Sequence, residues 1–300
     1  MIKIGCLAGV MMLVGVSGAA EAAAVPRQIA VPGMEYPWSA VGRLNVAGHS
    51  YCSAVLISER HVLTAAHCLW LAAEKRWWPA SAVHFVPGFQ GDAVLVADAK
   101  SYVVADGYRF DRHVSAADEA KDWAVIELTQ PLGRQTGWLA AAPLDQPALL
   151  GHAGYRQDHR YQVTLDYGCQ VLSQPPATPL LWESCEAVHG SSGGPLLAFL
   201  PGGPRVVGVV VGTTGGNGGG VTAAVSISTM QDGARFPVAA KAGQGAGIGK
   251  TIGHAPPAGG PAAPAPVETL HDLGQVDGQP ATLSALAERL TKTVEEKPSR

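Results

Sequence analysis

Short apolar runs separated by turn-forming residues fill the chain from the end of residues 1–24 to about residue 235: SAVGRLNV, YCSAVLIS, HVLTAA, AVHFVPG, AVLVADAKSYVV, WAVIEL, YQVTLDYGCQVL, RVVGVVVG and VTAAVSIS. The runs are near strand length and rich in Val and Ile, and Gly, Pro, Asn and Asp stand between them. A βαβ array needs long amphipathic helices between its strands, and none is visible, so the pattern predicts an all-β sandwich or barrel. The one stretch that allows a short helix is LWLAAEKRWW, directly after Cys68. With 300 residues, 47% of them hydrophobic and 15% charged, the chain has enough apolar material for a substantial core.

Charge excludes some partners. The formal net charge is −3, with acids and bases scattered, so there is no basic stripe to attract nucleic acid or an anionic membrane. Residues 1–24 read as an export signal: Lys3, an apolar run from Leu7 to Val16, and Ala20, Ala22 and Ala24 in the spacing that signal peptidase reads. That run is short for a bilayer and Glu21 interrupts it, so the expectation is a secreted or periplasmic protein without an integral membrane span once the signal is removed.

Cys6 leaves with the signal, and Cys52, Cys68, Cys169 and Cys185 remain. An even number in an exported chain suggests two bridges. Cys52 and Cys68, like Cys169 and Cys185, stand 16 positions apart, and closing a loop of that length removes roughly 3 kcal/mol of unfolded-state freedom. These two pairs are the expected disulfides. No Cys-x-x-Cys spacing is present, so neither a metal nor a cofactor is expected.

From 241 to 266 the composition turns to Gly, Ala and Pro, which marks a linker. The tail, 267–300, places Leu283, Leu286, Leu290 and Val294 at helical spacing behind Thr282 as a cap, the pattern of a short helix. GQGAGIGKT within the linker imitates a phosphate-binding loop, but Gln244 occupies the position of its first glycine and no strand precedes it.

The chemistry begins at HGSSGGPL, residues 189–196. A serine hydroxyl is a weak nucleophile near neutral pH. It needs a base, a group that orients the base, and N–H donors facing the developing oxyanion. Gly190 can turn its amide beside that of Ser192, and Gly193 and Gly194 allow close approach of substrate. The letters also satisfy the nucleophile elbow of α/β-hydrolases, whose order is serine, acid, histidine. After Ser192 the only histidines are His254 and His271, in or near the linker, and Pro195 and PGGP at 201–204 oppose the helix an elbow needs. Upstream, LTAAHC ends an apolar run with His67 beside a cysteine, and KDWAVIEL puts Asp122 at the mouth of another. The order is histidine, aspartate, serine.

TAAHC, DWAVIEL and GSSGGPL resemble the three signature regions of the trypsin/chymotrypsin-like serine proteases, a likeness covering roughly residues 35–230. The resemblance implies a double β-barrel of antiparallel strands over residues 25–240, with the active site in the inter-barrel cleft, and protein or peptide substrates. It implies Ser192 as nucleophile, His67 as base, Asp122 as its orienter, and the Gly190 and Ser192 amides as oxyanion donors. A binding module that kept the fold without catalysis is the alternative.

Vertebrate digestive members carry an aspartate directly before the nucleophile, paired with a freshly cut N-terminal amine; here that residue is Ser191 and no Ile-Val-Gly-Gly start is visible. Activation by burying a new terminus is therefore not expected. SCEAVHGSSGGP is similar to secreted bacterial relatives of the glutamyl endopeptidases, which show a cysteine seven places before the serine, as Cys185 does. Those relatives read a substrate glutamate partly through a histidine in the following strand, where this chain offers Val209, Val210 and Val211. Glu186 stands six before Ser192, where trypsin has the acid that binds Arg or Lys, which makes Glu186, Val211 and Thr213 the candidate specificity pocket. A hydrogen-bonded, structural Glu186 is the other reading. Asp111 and Asp118 belong to a polar loop, and His61 lies six residues from His67, which is not the spacing of a helical metal pair.

Overall fold

The computed structural model describes residues 27–48, 50–91, 95–110, 115–173, 180–214 and 220–231, and the short strands 275–276 and 279–280. The export signal, the linker, the helix expected in the tail, and His254 and His271 lie outside the described residues.

Six strands close a first barrel: β2 (Val41–Val46), β3 (Ser50–Leu56), β4 (His61–Thr64), β7 (Val83–Pro87), β8 (Ala97–Val104) and β9 (Ala124–Leu128), in the spatial order β2-β3-β4-β9-β8-β7. All pairings are antiparallel. Closure leaves no free edge and turns alternate side chains inward. Leu44, Leu56, Leu63, Phe85, Ile126 and Leu128 are fully buried there; burying each such side chain stabilises the fold by about 1.5–3 kcal/mol.

A second, curled sheet has eight strands. These are β1 (Arg27–Ala30), β10 (Leu149–Gly154), β11 (Thr164–Cys169), β12 (Val171–Ser173), β13 (Leu180–Glu183), β14 (Pro195–Leu200), β15 (Gly203–Thr213) and β16 (Thr222–Ser226), in the order β1-β11-β10-β14-β15-β16-β13-β12. The architecture is all-β, a closed barrel beside a curled half-barrel. Leu150, Leu181, Leu196, Ala198, Val207 and Ala224 pack around the Cys169–Cys185 disulfide in a core of their own.

The segment between the barrels is stitched to both: the Leu139 N–H donates to the Leu56 carbonyl of the first (2.9 Å), and the Ala142 N–H to the Val206 carbonyl of the second (2.9 Å). One expectation is corrected. LWLAAEKRWW forms no helix; β5 (Trp70–Leu71) and β6 (Arg76–Trp77) pair as a hairpin. Trp70 and Trp77 meet edge to face across it at 5.0 Å, and a cross-strand aromatic contact of that kind outweighs the modest helical preference of the Ala-Ala-Glu-Lys between them.

Candidate active site

His67 lies in a single 3-10 turn, Ala66–Leu69, that directly follows β4. Its neighbour Cys68 is bridged to Cys52 in β3, so the turn is tied to the barrel wall by a covalent bond as well as by the chain. Asp122 leaves a short helix, Ala116–Glu119, capped by the Ser115 side chain, and precedes β9 by two residues. Because β4 and β9 are adjacent, with Thr64 opposite Ala124, the residues just past one strand and just before the other meet.

They meet through two hydrogen bonds. The His67 main-chain N–H donates to Asp122 Oδ1 (2.8 Å), and Nδ1 lies 2.7 Å from Oδ2. With the proton on Nδ1, Nε2 is left as an acceptor, the tautomer a general base requires. Burial pulls the imidazolium down, but the charge of Asp122 and its hydrogen bond outweigh that and hold His67 above its ordinary pKa. Asp122 itself is 2% exposed. Tyr108, buried beside it, is held in the protonated form by burial first and then by the Asp122 charge and hydrogen bond.

Ser192 stands in the turn before β14. Gly190 has φ +89 and Gly193 φ +79, left-handed conformations that favour glycine. A Cβ at Gly190 would run into the Tyr155 carbonyl and the Tyr51 ring. Among the described residues, neither the Gly190 nor the Ser192 N–H donates a main-chain hydrogen bond, whereas the Gly193 N–H is spent on Val210 (2.7 Å) and the Gly194 N–H on Ser191 (2.9 Å). Ser191 is 3% exposed and its hydroxyl accepts the Val188 N–H (3.3 Å), while Ser192 shares a cavity of about 410 Å³ with His67.

The two halves of the site are joined by Ser53 of β3. Its N–H donates to the Ser192 carbonyl (2.8 Å), and its hydroxyl donates to the Gly190 carbonyl (2.6 Å) and accepts the Tyr155 N–H (2.7 Å). Nothing in YCSAV marks this serine as different from any strand serine; its partners are 102 and 137 residues away.

Val211 and Thr213 line the cavity, together with Gln157, Ala187, Val188, His189, Val210 and Gly212 along its walls. Glu186 does not line it. Its side chain is about half exposed, its carboxylate lies 3.8 Å from the Arg156 guanidinium, and its carbonyl accepts from Arg156 Nη1 at 2.7 Å. His61 bonds Ser58 (2.8 Å), and Asp118 bonds its cap Ser115, so both serve local turns; Asp111 lies outside the described residues. Two clusters bring histidine near cysteine, Cys52 with His67 and Cys68, and His152 with Cys169 and Glu183, but all four sulfurs are committed to disulfides.

Comparison with known proteins shows what the chain is similar to. The trypsin family model matches residues 28–168. Among solved structures, a Glu endopeptidase is 19% identical, covering 68% of this chain and 95% of its own, with a TM-score of 0.56. The thermostable serine protease AL20 from an extremophilic microorganism is 18% identical, covering 65% and 94%, with a TM-score of 0.53. Protease Anisep from Arthrobacter nicotinovorans is 17% identical, covering 69% and 96%, with a TM-score of 0.54. Residues 28–168 thus resemble the trypsin family, and the fold is the one these serine proteases share. By sequence, no match to a curated protein is found. The residue before Ser192 is a buried serine satisfied by Val188, so the turn around the candidate nucleophile closes on its own residues.

Proposed function

We propose that the protein is an exported serine endopeptidase that hydrolyses peptide bonds through an acyl-enzyme. The observation that carries this reading is the Nδ1 contact of His67 with a buried Asp122, on a cavity that Ser192 shares. Ser192 Oγ attacks the scissile carbonyl carbon while His67 Nε2 takes its proton. The carbonyl oxygen becomes an oxyanion held by the Gly190 and Ser192 N–H groups. Collapse expels the leaving amine, to which His67 returns the proton, and leaves an ester on Ser192; water, deprotonated by the same imidazole, attacks that ester, and as the C–Oγ bond breaks the imidazolium returns the proton to Ser192 Oγ and the acid is released. Asp122 fixes the tautomer and stabilises the imidazolium without taking the proton. The self-satisfied Ser191 supports an enzyme that needs no newly cut amino terminus to order its site.

Two disulfides suit an oxidising compartment, which supports export. Among the described residues no helix is long and apolar enough to cross a membrane. A fluorophosphonate probe tests the reading. Covalent labelling of the wild type and none of Ser192→Ala is the expected result. Correctly folded wild type that takes no label overturns the reading in favour of a catalytically inactive, protease-fold binding module.

A further inference from the structure

The wall of the cavity beside Ser192 is braced from behind by one arginine. Arg156 has a side chain only 5% exposed. Nε and Nη2 reach the two oxygens of Asp158 at 3.1 and 3.2 Å, and Nη1 donates to the Glu186 carbonyl at 2.7 Å and lies 3.4 Å from Asp166 Oδ1. Nη2 is also 3.8 Å from Glu186 Oε2. One residue on, the Gln157 N–H donates to the His189 carbonyl at 2.7 Å. Residues 156 and 157 thus hold both ends of the segment 186–189, whose middle residues, Ala187 and Val188, face the cavity.

The bracing continues inward. Asp166 Oδ2 lies 3.3 Å from Nε2 of His152, a charge contact, and His152 Nδ1 is 3.0 Å from Glu183 Oε1. Glu183 Oε2 accepts the N–H of Cys185, the residue before Glu186, at 2.5 Å. A carboxylate beside a pocket selects a basic substrate residue only when its charge faces the cavity without a nearer cation. Glu186 has a nearer cation and does not line the cavity; the carboxylate that comes near a lining residue is that of Glu119, 3.3 Å from where a Cβ on Gly212 would stand.

Resting on the peptidase reading, we propose that Arg156 is a positioning residue for specificity. By holding the main chain and carboxylate of Glu186 outside the cavity, it leaves a pocket with an apolar wall of Ala187, Val188, Val210 and Val211, beside His189 and the uncharged Gln157 and Thr213, that takes an uncharged, apolar residue before the cut. Glu186 is then a latent selector for lysine and arginine, masked by its neighbour.

The test uses the full chain after signal removal, with active sites counted by fluorophosphonate, and peptides that carry Leu, Ala, Gln, Glu, Lys or Arg before the cut. Wild type is expected to favour Leu over Arg by about tenfold or more in kcat/KM. Arg156→Gln is expected to raise the Arg:Leu ratio by about tenfold, and the double variant Arg156→Gln with Glu186→Gln to return it to the wild-type value. A merely structural role moves all six substrates together and leaves the ratio fixed, and that result overturns the proposal. If Arg156→Gln fails to fold, Glu186→Gln alone decides. An unchanged Arg:Leu ratio supports the proposal, and a wild type that prefers Arg and loses that preference in Glu186→Gln overturns it. Wild type that takes no label overturns the peptidase reading itself, and the proposal with it.

Discussion

Replacing Asp122 by Asn changes one atom in the interior and tests the whole arrangement. The carboxylate accepts two hydrogen bonds from His67, at the main-chain N–H (2.8 Å) and at Nδ1 (2.7 Å). An amide has one acceptor oxygen. If that oxygen keeps the main-chain N–H, the NH2 faces Nδ1, which must then become the acceptor; the ring proton moves to Nε2, the atom that has to receive the serine proton. The imidazolium formed during attack also loses its counter-charge in a site where Asp122 is 2% exposed. A charge-assisted hydrogen bond of this kind contributes about 1.5–3 kcal/mol, and the wrong tautomer adds a similar amount. The sum is near the roughly 10⁴-fold loss, about 5.5 kcal/mol, typical of such a change in a serine triad. The assay is kcat/KM on a good peptide substrate from pH 4 to 9, normalised to titrated sites. In the wild type the acid limb lies above the ordinary histidine value, because Asp122 outweighs burial and raises the His67 pKa; activity appears as His67 loses its proton. In Asp122→Asn burial acts unopposed, so the limb moves to lower pH while the plateau collapses. A folded variant within tenfold of wild type, or with an unmoved limb, refutes the reasoning.

Gly193→Ala puts a Cβ at φ +79 against the Ser53 carbonyl and the Thr64 hydroxyl, both in the first barrel. A loss of about 3 kcal/mol or more in unfolding free energy, with loss of probe labelling, is expected from denaturant titration. His152 is pulled down by burial, but Asp166 and Glu183 overcome this and lift it to about 10. Its folded pKa thus exceeds the unfolded one, so its contribution to stability is complete below about pH 6.5 and is lost as pH rises through 10, at up to about 1.4 kcal/mol per pH unit. Urea midpoints that stay level between pH 6 and 10 would refute this. Replacing Cys169 and Cys185 together by Ala reopens a loop of sixteen residues and is expected to cost about 3 kcal/mol in the same titration.

The expected strands were legible where a run was long and uniformly apolar, and they failed where the core tolerates exceptions. LLGHAG hides β10, because two glycines and a histidine read as a loop. His152 is tolerated there only because Asp166 and Glu183, 14 and 31 residues further on, enclose it. PLLAFL hides β14 behind a proline, which a strand accepts at its first position, where no N–H is needed. RQIA and LLWE, β1 and β13, are too short to show a period. The residues proposed for catalysis were readable because each sits in a local motif next to a strand end. Ser53, Arg156 and Gln157 were not, since what distinguishes them is a partner far along the chain and no local pattern anticipates it. Glu186 shows the converse: its position suggested a role in the pocket, and the arginine that turns it elsewhere lies thirty residues upstream.

Ser53 has a mechanical meaning. One small side chain and its own amide suspend the turn of the proposed nucleophile from the opposite barrel, by way of the carbonyls of Gly190 and Ser192. The seam between barrels is thereby also the suspension of the Ser192 turn, and on the proposed mechanism a wedge that parts them would detune hydrolysis while both cores stay folded.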